Sequence, residues 1–510
     1  MSVLSTFSGQ KFNTQREQWE NILKAELKLG ELGTKGSKSS IDGGKCPTLS
    51  LTAPATIQLS PIQDWKKASQ TYGTVDPSTI EKELVDDLTH GVRNFFFHKE
   101  FLTEGSWAGI VKLFAGFEFA SDLEVFLLGE TAFNSGKTTF KTIDELSMVT
   151  GRLAQDTGGT HFLELALLTC NLIEGITTAS SPVYLGVFTD SQFFRNIAKV
   201  RAAKLLALKV LEEYKIKPEV YVVALTSYRE WTLYERYSNI LRNDSAVASA
   251  YIAGADHVQS VGYNMLFELG GMASDEHDER SKRMGRNTSH ILALESLLGV
   301  VQDPAFGSYH LESMTQNYAS EAWKEMQKLL PLSATERLSH VEFEGHKTRD
   351  ERLRLLKTRK HVMAGINDFP DAEESLHLPE APTSKMFRLA KDFETLRIKT
   401  EWLPSKDEVF IGLFGDYAAL NARLNFVKNY FQLLGLKVHE VTDENELQQV
   451  KGIVVLCAQD DHYPKLMDLK FQGKLKFIAG KFEMPGFTNL YAGQDVYQVL
   501  ETILNSWGVK

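Results

Sequence analysis

From residue 62 onward the apolar positions fall into short runs that alternate with longer amphipathic stretches. Val92–Phe97, Val183–Phe188 and Glu219–Ser227 read as strands. Between them, Ile80, Leu84 and Leu88 recur at helical spacing, and so do Ile197, Val200, Ala203, Leu206 and Val210 within a helix predicted over Phe193–Tyr214. Asp76-Pro77-Ser78 opens the first of these helices and Gly91 stops it. Strand and helix alternating over some 300 residues predicts parallel α/β architecture, either a barrel or a doubly wound sheet. From Asp407 a second series begins. EVFIGLFG, Lys437–Val441, GIVVLCAQ, LKFIAG and NLYAGQ read as five strands, with helices over Ala418–Leu434 and Asp495–Trp507 and a stop at Gly435. Five strands with interleaved helices in about 100 residues is the flavodoxin-like arrangement.

The flanks carry different patterns. Residues 1–60 read as an arm. Gln15–Leu29 predicts one amphipathic helix (Trp19, Ile22, Leu23, Leu27), and an apolar stripe with no local partner points to packing on another chain. The stretch 33–45, GTKGSKSSIDGGK, reads as a flexible link. Glu342–Lys360 is highly charged and predicts a solvated helix with opposite charges at helical spacing. Pro370, Pro379, Pro382 and Pro404 mark an extended connection over 366–406.

Bulk properties narrow the function. A chain of 510 residues exceeds one core. Its 56 basic and 66 acidic side chains give a formal charge of −10 with no long basic block, which argues against a nucleic-acid role. Cys46, Cys170 and Cys457 are few, widely spaced and form no metal or redox motif, as expected of a reducing compartment. No apolar run approaches the roughly 20 residues that span a bilayer, and the first residues lack a secretory pattern. A cytoplasmic protein without membrane contact is the expectation. Ser135-Gly136-Lys137-Thr138 lacks the earlier glycine of a phosphate loop, because position 131 is Thr; it reads as a turn. Gly158-Gly159 and Gly270-Gly271 read likewise.

One stretch is more distinctive. In Glu279–Glu312, Asn287 and Thr288 are suited to capping a helix whose apolar face is Ile291, Leu294, Leu297 and Leu298, closed by Gly299. Asp303-Pro304 and Gly307-Ser308 then make a turn into Tyr309. The fixed letters Arg283, Arg286-Asn287-Thr288, Glu295-Ser296, Asp303-Pro304, Gly307-Ser308-Tyr309, Glu312, Thr315 and Ala322-Trp323 resemble the methylmalonyl-CoA mutase family, adenosylcobalamin-dependent enzymes that rearrange the carbon skeleton of acyl-CoA esters. Gly365-Ile366-Asn367 with Phe369-Pro370 is similar to the family where its barrel ends.

The resemblance implies a (β/α)8 TIM barrel over 61–365, a linker over 366–406 and a degenerate cobalamin-binding-like domain of flavodoxin fold over 407–510. It also locates what is missing. The family holds cobalt with Asp-x-His-x-x-Gly, and counting back from Gly435 those positions fall on Ala418, Leu420 and Arg423, none of which can ligate or orient. His439, and His462 beside Asp460 and Asp461, read as solvated polar positions. The family's catalytic Tyr and His fall on Arg152 and Leu153, in a register kept by Thr160, Glu164 and Glu174-Gly175. Its acyl-CoA contact segment appears as Val223-Ala224-Leu225-Thr226-Ser227-Tyr228, and its aromatic, Arg-rich lead-in has no counterpart between Cys46 and Ile62.

The resemblance therefore implies no catalytic, cofactor-binding or metal residue in this chain. The wording LTSYREWT and the terminal YAGQDVYQVLETILNSWGVK look most like the small, non-catalytic subunit of heterodimeric bacterial members of the family. The expected partner is a large catalytic subunit carrying adenosylcobalamin and the acyl-CoA, in propionate metabolism. The alternatives are a stand-alone acyl-CoA-acting barrel enzyme built on Asp256 and His257 near a strand end, or a regulatory binding module of a mutase complex.

Overall fold

A computed structural model describes residues 37–40, 42, 44–47, 69–72, 80–117, 120, 123–128, 138–144, 147–176, 182–270, 276–298, 303–378 and 386–508. The helix expected over Gln15–Leu29, the opener Asp76-Pro77-Ser78, Ser135-Gly136-Lys137, Gly271, Gly299, Pro379 and Pro382 lie outside these. The chain divides into two compact units. The first comprises Met1–Ser227, Asn243–Gly262 and Asp278–Thr348, and the second Tyr228–Arg242, Tyr263–His277 and Arg349–Lys510.

In the first unit a hairpin, β1 (Ser37–Ser40) and β2 (Gly44–Pro47), precedes eight strands in two parallel sheets. One sheet orders β3 (Ser69–Tyr72), β4 (Asn94–His98), β5 (Glu124–Leu128) and β6 (Lys141–Asp144) side by side. The other orders β7 (Val149–Thr150), β8 (Val183–Thr189), β9 (Val220–Thr226) and β10 (His257–Val258). The period of two sends alternate residues to opposite faces. Phe96, Phe126, Leu128 and Ile143 of the first sheet share one buried cluster with Tyr184, Phe188, Val223 and Leu225 of the second. The intervening residues face helices: Phe95, Phe97, Val125 and Leu127 pack with Ile80, Leu84 and Leu88, and Leu185, Val187, Val222 and Ala224 with Ile197, Val200, Ala203, Leu206 and Val210. Ser69 Oγ donates to Val258 O and Thr71 Oγ1 to Ser260 O, both at 2.6 Å, so β3 is tied to the β10 segment.

The second unit holds five parallel strands, β11 (Val409–Phe414), β12 (Val438–Val441), β13 (Ile453–Ala458), β14 (Leu475–Ala479) and β15 (Thr488–Leu490), in the spatial order β12-β11-β13-β14-β15. Counted within the unit that is 2-1-3-4-5, the flavodoxin-type order. The helix Tyr417–Gln432 buries Leu420, Leu424, Val427 and Phe431, and Val496–Ser506 buries Val499, Leu500 and Ile503.

Three expectations change. Asn287 and Thr288 lie inside a helix, Glu276–His290, rather than at its cap. The chain then widens into a π turn at Ile291–Glu295, which rotates the following side chains out of phase. Ile291, Leu294 and Leu297 are exposed at 47%, 53% and 58%, while Ala293 is buried. Second, the stretch 33–45 is not uniformly a flexible link, since it contains β1, the start of β2 and the buried Asp42. Third, 366–406 is not simply extended: Lys391–Glu401 is a helix whose Phe393, Glu394, Leu396, Arg397 and Ile398 are buried. The charged stretch is helical as expected, within Ala334–Lys357, with pairs such as Arg354–Glu351 at 2.7 Å on its exposed side.

Candidate functional site

Ligands of parallel α/β folds sit at the carboxyl ends of the strands. In the first unit those ends carry His98, Asp144, Asp190 and Ser227, with Arg152 and Leu153 just after β7. Burial, and then the nearby Arg152 charge, pushes the His98 imidazole down to about 3, so it is neutral across the physiological range. Buried Lys99 reaches Asp144 Oδ1 at 3.0 Å. Arg152 lies 3.7 Å from Asp156 and covers the Phe188 ring, and Leu153 packs against the cluster of Leu163, Leu167 and Leu329. Gln155 Nε2 donates to Ser227 Oγ. Glu164, one of the register letters, is buried and accepts from Phe188 N at 2.9 Å and Lys199 Nζ at 3.0 Å. Glu174 is half-exposed and pairs with Arg337 at 2.7 Å. These polar groups are committed to one another.

The segment 223–228 has the same character. Val223 and Leu225 point into the shared apolar cluster, and Ala224 faces the helix layer. Thr226 N donates to Gln259 Oε1 at 2.8 Å and Ser227 N to Thr189 O at 2.8 Å. Tyr228 is buried against Trp231 in the second unit.

Asp256 and His257 lie at the wrong end for barrel catalysis. β10 begins at His257, which pairs in register with Val223, so both residues sit where the strand enters the sheet. They also diverge. Asp256 Oδ2 accepts from Val222 N at 2.7 Å and lies 3.6 Å from Lys204. His257 points inward, its Nδ1 3.2 Å from Glu124 Oε2, among Phe126, Tyr184 and Tyr221. Glu124 also holds Lys141 at 3.2 Å, whose ammonium lies 5.1 Å from the centres of both tyrosine rings.

In the second unit the switch point falls between β11 and β13. Asp416 caps the helix that follows β11, accepting from Ala419 N at 3.3 Å. Leu420 is 1% exposed. Arg423 reaches across the strand ends, donating to Ala458 O and to Asp460 Oδ1 at 2.9 Å. Gly415, at φ +129°, permits the turn in front of it. His462 pairs with neighbouring Asp461 at 3.1 Å, and His439 with Glu408 at 3.3 Å, both partly solvated. Among the described residues no group of three or more His, Cys, Asp or Glu side chains is placed to hold a metal ion, and no helix is long and apolar enough to cross a membrane.

The motif letters have scaffolding positions. Arg201, fully buried, donates to Asp303 Oδ2 at 3.0 Å, Glu312 Oε1 at 2.8 Å and Thr315 Oγ1 at 3.0 Å. Gly307, at φ +79°, lets the turn double back so that its N–H also reaches Glu312 Oε1 at 3.1 Å. Arg286 binds Asp86 at 2.7 Å and Asp87, and Asp87 accepts from Tyr72. Gly285 is required by close approach, since a Cβ there would stand 2.8 Å from Gly262 N. Exposed Arg283 lines a cavity of about 250 Å³ with Tyr72, Glu83 and Lys282. Arg201 was not among the candidates read from sequence, although Lys199, Arg201 and Lys204 lie among the buried positions of a helix otherwise packed by apolar residues. Cations at such positions are the signal of a buried ion-pair hub.

The family model described as methylmalonyl-CoA mutase matches residues 183–400. The chain is 31% identical over 366 residues to the methylmalonyl-CoA mutase small subunit of Streptomyces virginiae, covering 66% of this chain and 58% of that protein. It is 27% identical over 369 residues to the small subunit of Propionibacterium freudenreichii subsp. shermanii, covering 65% and 57%. To the small subunit of Porphyromonas gingivalis it is 25% identical over 361 residues, covering 63% and 57%. The large subunit from the same organism matches over 201 residues at 28%, or 36% of this chain and 27% of that protein. The chain thus spans less than two thirds of the length of the small subunits it matches. With the motif of 283–323 at the turns and ion pairs of its first unit, the chain is similar over about two thirds of its length to the small subunits of methylmalonyl-CoA mutases.

Proposed function

We propose that this chain is the small, non-catalytic subunit of a cytoplasmic adenosylcobalamin-dependent methylmalonyl-CoA mutase, a structural partner in a heterodimer whose large subunit isomerises methylmalonyl-CoA and succinyl-CoA in propionate metabolism. The observation that carries the reading is Leu420. By the count back from Gly435 it stands for the family's cobalt-ligating histidine; its side chain is buried, and Arg423 spans the neighbouring strand ends to Asp460. A corrin needs an imidazole below the cobalt and a clear path for its tail. These residues do not fit it.

The first unit supports the same reading. Two parallel four-stranded sheets that share an inner core, tied from β3 to the β10 segment, suit a (β/α)8 barrel over 61–365, and 407–510 suits a cobalamin-binding-like domain that has lost its ligand. Arg152 and Leu153 in the catalytic positions, and Phe96, Phe126 and Phe188 filling the interior, suit a scaffold rather than an acyl-CoA site. The stand-alone enzyme gains nothing from His257, which lies at the start of its strand.

The test is co-expression with a large subunit carrying Asp-x-His-x-x-Gly, followed by native mass spectrometry. A one-to-one complex with isomerase activity, and an inactive chain when this protein is purified alone, are expected. Failure to associate, or turnover of methylmalonyl-CoA by this chain alone, would overturn the proposal.

A further inference from the structure

On the outer side of β3, in the first unit, the helices Ile80–Thr89 and Glu276–His290 leave a slot between them. Gln70 and Tyr72, two apart on the strand and so on one face of it, line the slot from the sheet side. The free volume is about 250 Å³, below the roughly 300–1,000 Å³ of sites for drug-sized ligands, so it suits a small metabolite. Ion pairs tie the two walls together. Lys282 Nζ binds Glu83 Oε2 at 3.0 Å, and Arg286 Nη1 binds Asp86 Oδ2 at 2.7 Å and also Asp87. The slot is therefore formed before any ligand arrives.

The pairing is incomplete in a way that defines a ligand. Arg286 is 5% exposed, and both of its carboxylates sit on Nη1. Its Nε is buried with no hydrogen-bond partner among the described residues. The Nε–Nη2 edge is the one that takes two carboxylate oxygens side by side, and leaving a buried donor unmade is costly. Exposed Lys82, Arg283 and Glu279 line the same slot and make no ion pair among the described residues. Glu279, Arg283 and Arg286 stand four and three apart along one helix, so they share a face.

We propose that this slot binds a small amino acid, its carboxylate taken by Arg286 and Arg283 and its ammonium by Glu279. The charge balance selects a dipolar ligand. Four cations and four carboxylates line the slot, so no net charge draws a free ion of either sign. A free anion at Arg286 would also meet Asp86 and Asp87 with nothing to offset them. A molecule that carries both charges satisfies the open guanidinium edge and the unpaired Glu279 together. The inference does not rest on the mutase reading, and its test needs no partner subunit.

Isothermal titration calorimetry of the full chain tests it. The probes are L-alanine and 4-aminobutanoate, with propionate and propylamine as their single-charge halves. Saturable heat is expected with at least one of the amino acids, at a dissociation constant of about 1 mM or below, and binding of both halves about tenfold weaker or worse. Arg283→Gln and Glu279→Gln change exposed side chains outside the ion pairs that tie the walls. Each is expected to weaken amino-acid binding about tenfold, the worth of one charged hydrogen bond. No heat from either amino acid up to about 10 mM overturns the proposal. So does propionate or propylamine binding as tightly as the amino acids, which would mark an adventitious ion only, and so does binding unchanged in either variant.

Discussion

Replacing Arg201 by Met removes the hub on which the motif letters converge. Asp303, Glu312 and Thr315 lose a partner within 3.0 Å, and Glu312 is 0% exposed, so its carboxylate is stranded in the core. Breaking a buried ion pair from one side costs about 3–5 kcal/mol, because the remaining charge keeps its desolvation penalty without its attraction. For a unit of this size that lowers the midpoint of thermal unfolding by about 10 °C. Scanning calorimetry resolves such a shift, and the transition to follow is the one lost together with protection of Val183–Thr189. The companion variant, Arg201→Met with Glu312→Leu, leaves no unpaired charge at position 312 and is expected to recover more than half of the loss, since well-packed apolar groups often match a buried pair. A single variant within about 1 kcal/mol of the unaltered chain, or a double variant less stable than the single, would refute the assignment of these letters to scaffolding.

Two further outcomes follow from burial. His98, pushed down to about 3 when folded, takes up its proton near its ordinary value only when unfolded. Stability is therefore full above about pH 6.5 and declines as pH falls towards 3, by on the order of 5 kcal/mol in all. His98→Phe should flatten that part of the urea-midpoint-versus-pH curve, and an unchanged slope would sink the attribution. Cys170 and Cys457 are buried thiols pushed up to about 11 by desolvation. Both should resist a thiol reagent at pH 7 on the timescale of minutes and react on unfolding, as read by peptide mapping. Fast labelling of either in the native chain would contradict its packing.

Much of this architecture was legible because hydropathy alternates with the pleat and the helical turn. The helix at Phe193 and every strand of the second unit lie within a few residues of where the pattern puts them. What escaped was held by polar contacts or by a change of helical pitch. The helix Lys391–Glu401 offers only Phe393, Leu396 and Ile398 as apolar positions, too few to read as a stripe. It is buried through Arg388–Glu394 at 2.8 Å, Tyr234–Glu401 at 2.8 Å and Arg397 stacked 4.3 Å over Tyr234. The apolar periodicity at Ile291, Leu294 and Leu297 was real, but a π turn rotated it into solvent. Asp42 sits in a Gly-, Ser- and Lys-rich stretch whose composition reads as a link, and its partners Gln192, His161 and Tyr318 lie more than 100 residues away in sequence. The position of Asp256 and His257 at a strand end was visible, but which end was not, because β10 is two residues long.

The central claim is that a leucine and an arginine have closed the cobalamin crevice of this chain. Titration of the purified protein with adenosylcobalamin, followed by absorbance and by heat, tests it most directly. The account predicts neither a spectral change nor saturable heat at millimolar cofactor, and tight binding only once a large subunit is added. Stoichiometric uptake by the isolated chain, abolished by a substitution such as His462→Ala, would contradict it.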